Sequence, residues 1–250
     1  MRLIGIICEA MVLFIPGFMQ RGDAWRPVAE LLPERYPSTM LDHRQHTFEG
    51  RLREIAAAGE DRVVVGYSLG GRLALRAVLR EPGRYAGLVT LSTTAGIDEA
   101  LARRARAEAD ERLAAWIEAS PIDDVVSVWE RQPLFADQSD ALVEAQRPGR
   151  LSHDPAGLAL LLRTAGQGIL EPVWHELLGL DVPVLAIAGD RDDGYVRAAR
   201  RIAETAPRAR AAVVPEAGHA PQLQQPEEVA QLIAGFLDEV GGGAGRAGTG

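Results

Sequence analysis

The stretch "VVVGYSLGGRLAL", Val63 to Leu75, limits the folds open to this chain more than any other. A run of β-branched residues meets a serine centred in G-x-S-x-G, and residues of helical spacing follow at once. A strand that turns straight into a helix needs a crowded corner, with small residues where neighbouring backbones approach. That corner would lift Ser68 above the carboxyl edge of a parallel sheet, where a nucleophile is reachable. An ordinary glycine turn has the same five-residue pattern, so Ser68 needs a base nearby before it reads as reactive.

The rest of the chain supplies the sheet. Short Val- and Ile-rich runs at Met11–Ile15, Val63–Tyr67, Gly87–Ser92, Pro183–Gly189 and Ala211–Gly218 read as buried strands of a parallel sheet, with helical segments as crossovers. "LGGRLALRAVLREP" has helical spacing and stops before Pro82, and "QPEEVAQLIAGFLDEV" reads as a closing helix with Pro226 and acidic residues in its first turn. The pattern is that of a doubly wound, mostly parallel α/β domain. Between Ala95 and about Gly179 the alternation stops. "DEALARRARAEADERLAAWIEA", "VVSVWERQPLF", "DALVEAQRPG" and "PAGLALLLRTAG" read instead as successive helices with Pro and Gly breaks. The expected organisation is therefore core at 1–94, a helical cap at 95–179, core again at 180–240, and a flexible glycine-rich tail at 241–250.

Two residues downstream could activate the serine. Asp192, in "AIAGDRDDGY", would lie on the loop after the strand that opens at Pro183. His219, in "VPEAGHAPQL", would lie on the loop after the last strand. A Ser-His-Asp arrangement needs the imidazole as general base and the carboxylate to orient it. Asp190 and Asp193 remain alternatives for the acid, and His219 could be a satisfied loop histidine. An oxyanion hole would draw on backbone amides, here those of Leu69 after the serine and Phe18 on the loop "IPGFMQRGDAW".

Composition narrows the partners. A chain of 250 residues, 47% apolar, can bury a sizeable core, and a net charge of -8 opposes binding to phosphate backbones, so nucleic acid is not an expected partner. No apolar stretch is long enough to span a bilayer, and "MRLIGIICEAMVLFIPGF" reads as the entry to a buried strand because Glu9 interrupts it. A single cysteine, Cys8, cannot form an intramolecular disulfide, which fits a reducing cytoplasm, and no His/Cys cluster has metal-ligand spacing. No cofactor is implied, and oligomeric state is not encoded legibly. The chain has no lysine and all 27 of its basic residues are arginine, so a lone arginine is weak evidence of an anion site.

Taken together, these motifs resemble the α/β-hydrolase fold, and within it the 2-succinyl-6-hydroxy-2,4-cyclohexadiene-1-carboxylate synthases of menaquinone biosynthesis. "GYSLGGR" matches that family with Tyr67 before the nucleophile and Arg72 four residues after it. "RRARAEADERLAAWIE" resembles its basic-then-acidic cap helix and puts Arg106 on a substrate-binding arginine. "VWERQPLF" is close to its Trp-x-x-Gln-Pro-hydrophobic-Phe pattern, which puts Trp129 on the pocket wall, and Arg147 falls where a third arginine is expected. The chain departs from the family in having Pro16 where histidine is usual, a short segment after Asp42, and Gly194–Tyr195 in place of a Lys-Phe pair.

The resemblance implies elimination of pyruvate from a carboxylate-bearing cyclohexene, with Ser68 as base through His219, Asp192 orienting the imidazole, and arginines holding the carboxylates. The same residues would serve a serine hydrolase of small esters or carbon–carbon bonds, and a binding protein that kept the fold is a third reading.

Overall fold

The computed structural model describes residues 11–244; the segment before Met11, with Cys8, and residues 245–250 lie outside them. Among the described residues six strands form one parallel sheet in the order β2-β1-β3-β4-β5-β6. They are β1 (Met11–Ile15), β2 (Ser38–Met40), β3 (Arg62–Tyr67), β4 (Tyr85–Leu91), β5 (Val184–Gly189) and β6 (Ala209–Val214). Registers such as Val12 on Val63 and Leu88 on Val184 align the strands so that their carboxyl ends share one edge.

The alternation along each strand divides the core in two. Leu13, Ile15 and Val64 face one layer, and Val12, Phe14, Val63 and Val65 face the other. On the two faces lie α1 (Arg26–Ala29), α2 (Phe48–Ala57), α3 (Leu69–Arg80), α9 (Asp193–Thr205), α10 (Pro221–Gln224) and α11 (Pro226–Ala244). The chain goes from β1 outward to β2, then returns to β3 on the other side of β1. The loops leaving β1 and β3 therefore diverge at adjacent strand ends, and a crevice opens there.

Between β4 and β5 run α4 (Ala100–Glu118), α5 (Ile122–Trp129), α6 (Asp140–Leu151), α7 (Pro155–Ala165) and α8 (Trp174–Leu177). Side-chain caps start three of them. The Glu99 carboxylate accepts from Leu101 N, the Ser139 hydroxyl from Leu142 N and the Asp154 carboxylate from Gly157 N. These helices bury a small core of their own around Ala114, Ile117, Val126, Leu158 and Leu162. Met19, from the loop after β1, plugs into it and adopts a φ of 60°. The loop expected to hold an oxyanion is thus clamped between the sheet and the helices above it. Arg21 adds a polar latch, donating to the Ser152 hydroxyl at 2.8 Å and the Ser152 carbonyl at 2.6 Å.

Some elements differ from the sequence reading. β2 is additional: its three residues are exposed or partly exposed, so no apolar run marks it. β6 ends at Val214, since Pro215 has no N–H to continue the ladder. The closing helix runs on to Ala244, across glycines expected to begin a flexible tail. Each glycine costs ~1 kcal/mol relative to alanine. Propagation on an existing helix nevertheless adds one hydrogen bond per residue without a new nucleation cost.

Candidate active site

Ser68 stands at the corner between β3 and α3 with φ 51° and ψ −111°, a conformation that L-residues rarely adopt. The neighbouring glycines explain how the corner closes. A Cβ on Gly66 would collide with the Gly70 carbonyl, and one on Gly70 would collide with the carbonyls of Ile15 and Pro16. The corner is also tied from outside. Ser68 N donates to Leu91 O at 2.8 Å, and the Thr93 hydroxyl donates to Ser68 O at 3.1 Å. The backbone strain is held by packing and hydrogen bonds rather than by the serine side chain, so the hydroxyl remains free to meet a base.

The imidazole that meets it is that of His219. Its Nε2 lies 3.2 Å from Ser68 Oγ, and its Nδ1 lies 2.7 Å from Asp192 Oδ2. With Nδ1–H donating to the carboxylate, Nε2 is left to accept the serine proton. The choice among the three aspartates follows from the loop. Asp190 Oδ1 accepts from Ala217 N at 3.2 Å and thereby ties the two loops together, while Asp193 is exposed as the first residue of α9. His219 is 3% exposed, and its ring packs against Tyr195 at 4.6 Å, Tyr67 at 5.4 Å and Phe135 at 6.2 Å between centroids.

Two residues of the serine's cavity carry backbone amides without acceptors. Among the described residues neither the Phe18 nor the Leu69 amide has a hydrogen-bond acceptor, and Leu69 N is at the first position of α3, where no intrahelical partner exists. Both residues line the same cavity as Ser68.

That cavity, of about 510 Å³, lies between the sheet edge and the helices inserted after β4. Trp129, Phe135, Leu161, Leu162 and Leu113 give it an apolar wall, and Phe18 and Phe135 hold the Trp129 ring at 5.1 and 5.6 Å. Arg72 and Arg106 also line it. Arg72 is 7% exposed, its guanidinium has no hydrogen-bond or ion-pair partner among the described residues, and its Nε is sealed from solvent. Burial lowers its pKa from the ordinary arginine value. Arg106 is partly neutralised, with Nε donating to Asp110 at 2.8 Å and Nη1 to Gln167 at 2.9 Å. Two residues before it, Arg104 pairs with Glu108 and is solvated.

Arg147 is not brought to this cavity. Its guanidinium pairs with Glu130, and Nη2 donates to Ser127 Oγ at 3.3 Å. Glu130 also accepts from buried Arg150 at 3.1 Å, and this cluster fastens α6 to α5. The sequence reading passed over Phe135, Asp110 and the α7 leucines; the leucine spacing in "GLALLLRTA" was the available signal. A second hollow of about 530 Å³ lies at the opposite end of β5 and β6, lined by Arg208, Arg210 and Glu239. It contains no nucleophile. Among the described residues there is no group of three or more His, Cys, Asp or Glu suited to a metal, and no helix is long and apolar enough to cross a membrane.

The Alpha/beta hydrolase family profile matches residues 12–232. The chain is 30% identical over 247 residues to the 2-succinyl-6-hydroxy-2,4-cyclohexadiene-1-carboxylate synthase of Enterobacter sp. (strain 638), a match spanning 90% of this chain and 91% of that one. It is 33% identical over 180 residues to a Bacillus subtilis (strain 168) protein provisionally given the same synthase name, covering 71% of this chain and 66% of the other. The solved structure of MenH from S. aureus superposes with a TM-score of 0.85 at 25% identity, covering 93% of this chain and 94% of that one.

Proposed function

The chain belongs to the alpha/beta hydrolase family, and from that premise we propose that it is a lyase that eliminates pyruvate from an enolpyruvyl-bearing cyclohexene polycarboxylate, forming 2-succinyl-6-hydroxy-2,4-cyclohexadiene-1-carboxylate in menaquinone biosynthesis. The synthase relatives support the reaction. The single observation that favours a carboxylate substrate is Arg72, a buried guanidinium without a partner in the cavity that contains Ser68 and His219. An unpaired buried cation is costly, and a ligand carboxylate would relieve that cost.

The chemistry follows from the product. Its ring carbon 2 carries a succinyl ketone, so a proton on that carbon in the precursor is acidified by the carbonyl. Ser68 Oγ, with its own proton passed to His219 Nε2, removes it, and Asp192 stabilises the imidazolium. Charge develops on the ketone oxygen, where the amides of Phe18 and Leu69 receive it. As the enolate collapses, the electrons move through the ring double bond, and the C–O bond to the enolpyruvyl group breaks. The departing enolpyruvate takes a proton from the imidazolium side and becomes pyruvate. No acyl-enzyme forms. The division into core and a cap at about residues 95–179 belongs to this reading, as does a cytoplasmic setting with small-molecule partners only.

A serine hydrolase of small esters is the second reading, favoured by the two unpaired amides beside Ser68, which would suit a tetrahedral intermediate equally well. Pyruvate release from the enolpyruvyl precursor, made in place by its upstream synthase and corrected for spontaneous loss, separates the two. The lyase predicts release well above the blank that disappears in Ser68→Ala. Release at the blank rate, with p-nitrophenyl esters cleaved in a Ser68-dependent way, overturns it.

A further inference from the structure

One polar group in the cavity has no role in the reaction just described. Tyr195 lines the cavity from the first turn of α9, three residues after Asp192, and its backbone is fixed by a 3.0 Å bond from Tyr195 N to Asp192 O. Its ring is wedged against His219, with centroids 4.6 Å apart and planes at 53°. The side chain is therefore immobilised, and its hydroxyl has a fixed station. Among the described residues that hydroxyl has no hydrogen-bond partner, and it is not one of the polar atoms sealed from solvent.

The groups facing it are Arg72 and Arg106 on the positive side and Asp192 and Asp110 on the negative. Tyr195 is in turn the first charge neighbour of Arg72. Burial outweighs the two guanidiniums and raises the phenol above its ordinary pKa, so it remains a protonated donor. A buried arginine and a phenol O–H with no protein acceptor, lining one cavity and within electrostatic reach of each other, are complementary to an acceptor with several lone pairs. A carboxylate offers about four such sites.

We propose that the Tyr195 hydroxyl donates to the same substrate carboxylate that Arg72 holds, making Tyr195 a specificity-determining residue for ring polycarboxylates. The inference rests on the lyase reading for the identity of the substrate, though not for the chemistry of the clamp. It explains selection as well as affinity. A neutral acyl ester entering the cavity would leave both Arg72 and Tyr195 desolvated and unpaired, and a site built around buried donors rejects ligands that cannot accept from them.

Tyr195→Phe tests it, because the ring that packs on His219 is kept and only the oxygen is lost. Steady-state pyruvate release is measured for the wild type, Tyr195→Phe, Arg72→Gln and the double variant. Binding of phthalate, a ring dicarboxylate that needs no catalysis, is measured in parallel by calorimetry. A hydrogen bond to a charged group predicts about a tenfold rise in KM and in the phthalate Kd for Tyr195→Phe, with kcat within about twofold of wild type. In the Arg72→Gln background the same change shrinks to less than about twofold, because the shared carboxylate is no longer held. Unchanged KM and Kd in Tyr195→Phe overturn the proposal. So does a fall in kcat with an altered pH profile at constant KM, which would make the residue a support for His219 alone. A wild type that releases no pyruvate above the blank, yet binds phthalate in a Tyr195-dependent way, overturns the lyase reading and upholds the clamp. A wild type that does neither overturns both.

Discussion

His219 takes its orienting carboxylate from Asp192, at 2.7 Å from Nδ1, and not from Asp190, which spends its Oδ1 on the amide of Ala217. Two aspartates separated by one residue thus have different duties. Asp192→Asn should lower kcat for pyruvate release by about 10³–10⁴-fold by favouring the wrong imidazole tautomer, with little change in the thermal midpoint. Asp190→Asn should do the reverse, loosening the loop and lowering the midpoint while kcat changes by less than about tenfold. Rates and melting curves of the two variants check this, and a reversed pattern would reassign the acid.

The strained corner makes a separate demand on Gly70. A methyl group there meets the carbonyls of Ile15 and Pro16, which are backbone atoms at the carboxyl end of β1 and just past it and cannot swing away as a flexible side chain would. Gly70→Ala should therefore cost about 3 kcal/mol or prevent folding. Gly83→Ala is the control, since a Cβ there meets nothing within 4 Å. It should be neutral or slightly stabilising. Urea unfolding midpoints compare the two.

That Ser68, Asp192 and His219 would come together was legible because strand ends in a parallel sheet share one edge, and each of the three follows an apolar run. Chain order then did the work of geometry. Asp192 was the expected acid, but Asp190 and Asp193 stayed open as alternatives, because which aspartate turns toward the histidine depends on the backbone of a single loop. Arg147 shows another limit. Its pairing with Glu130, at the C-cap of α5, arises from how two helices pack, and no local pattern in "EAQRPGR" carries that information. β2 escaped notice because exposed three-residue strands have no hydrophobic period to detect.

Arg72 makes the case for function over stability. It is buried without an ion-pair partner among the described residues, so replacing it with an apolar side chain of similar length should relieve a desolvation cost. Arg72→Met should raise KM for the polycarboxylate by about a hundredfold or more, as expected for loss of a charge-assisted bond. The same variant should gain about 1 kcal/mol of stability, or ~2–4 °C in Tm. Kinetics and calorimetry on one preparation read both. A loss of stability with unchanged KM would make Arg72 a structural residue.

Two histidines at the seam between the sheet domain and the inserted helices set the acid limit of the fold. His43 is buried, donating to Glu54 at 2.8 Å, and His153 packs nearby on the turn after α6; the Nε2 of each is sealed without a partner. Burial, followed by the Arg51 charge for His43 and by Arg21 and Arg51 for His153, pushes each imidazole down to about 4. The folded state therefore resists protonation that the unfolded chain accepts near its ordinary value of 6.5. Between about pH 6.5 and 4 the unfolded chain binds more protons, so stability falls as pH falls through that window. The expected slope is roughly 1.4 kcal/mol per pH unit for each histidine. The carboxylates held low by arginine or tyrosine, Glu49 and Asp238, start from ordinary values of 4.5 and 3.8 and add their losses only at the acid end. Urea midpoints at pH 7.5, 6 and 5 should decline steeply below 6.5, and His153→Gln should remove about half of the slope. A flat profile between pH 6.5 and 5 would mean that both rings charge freely in the folded protein and that the seam opens to water.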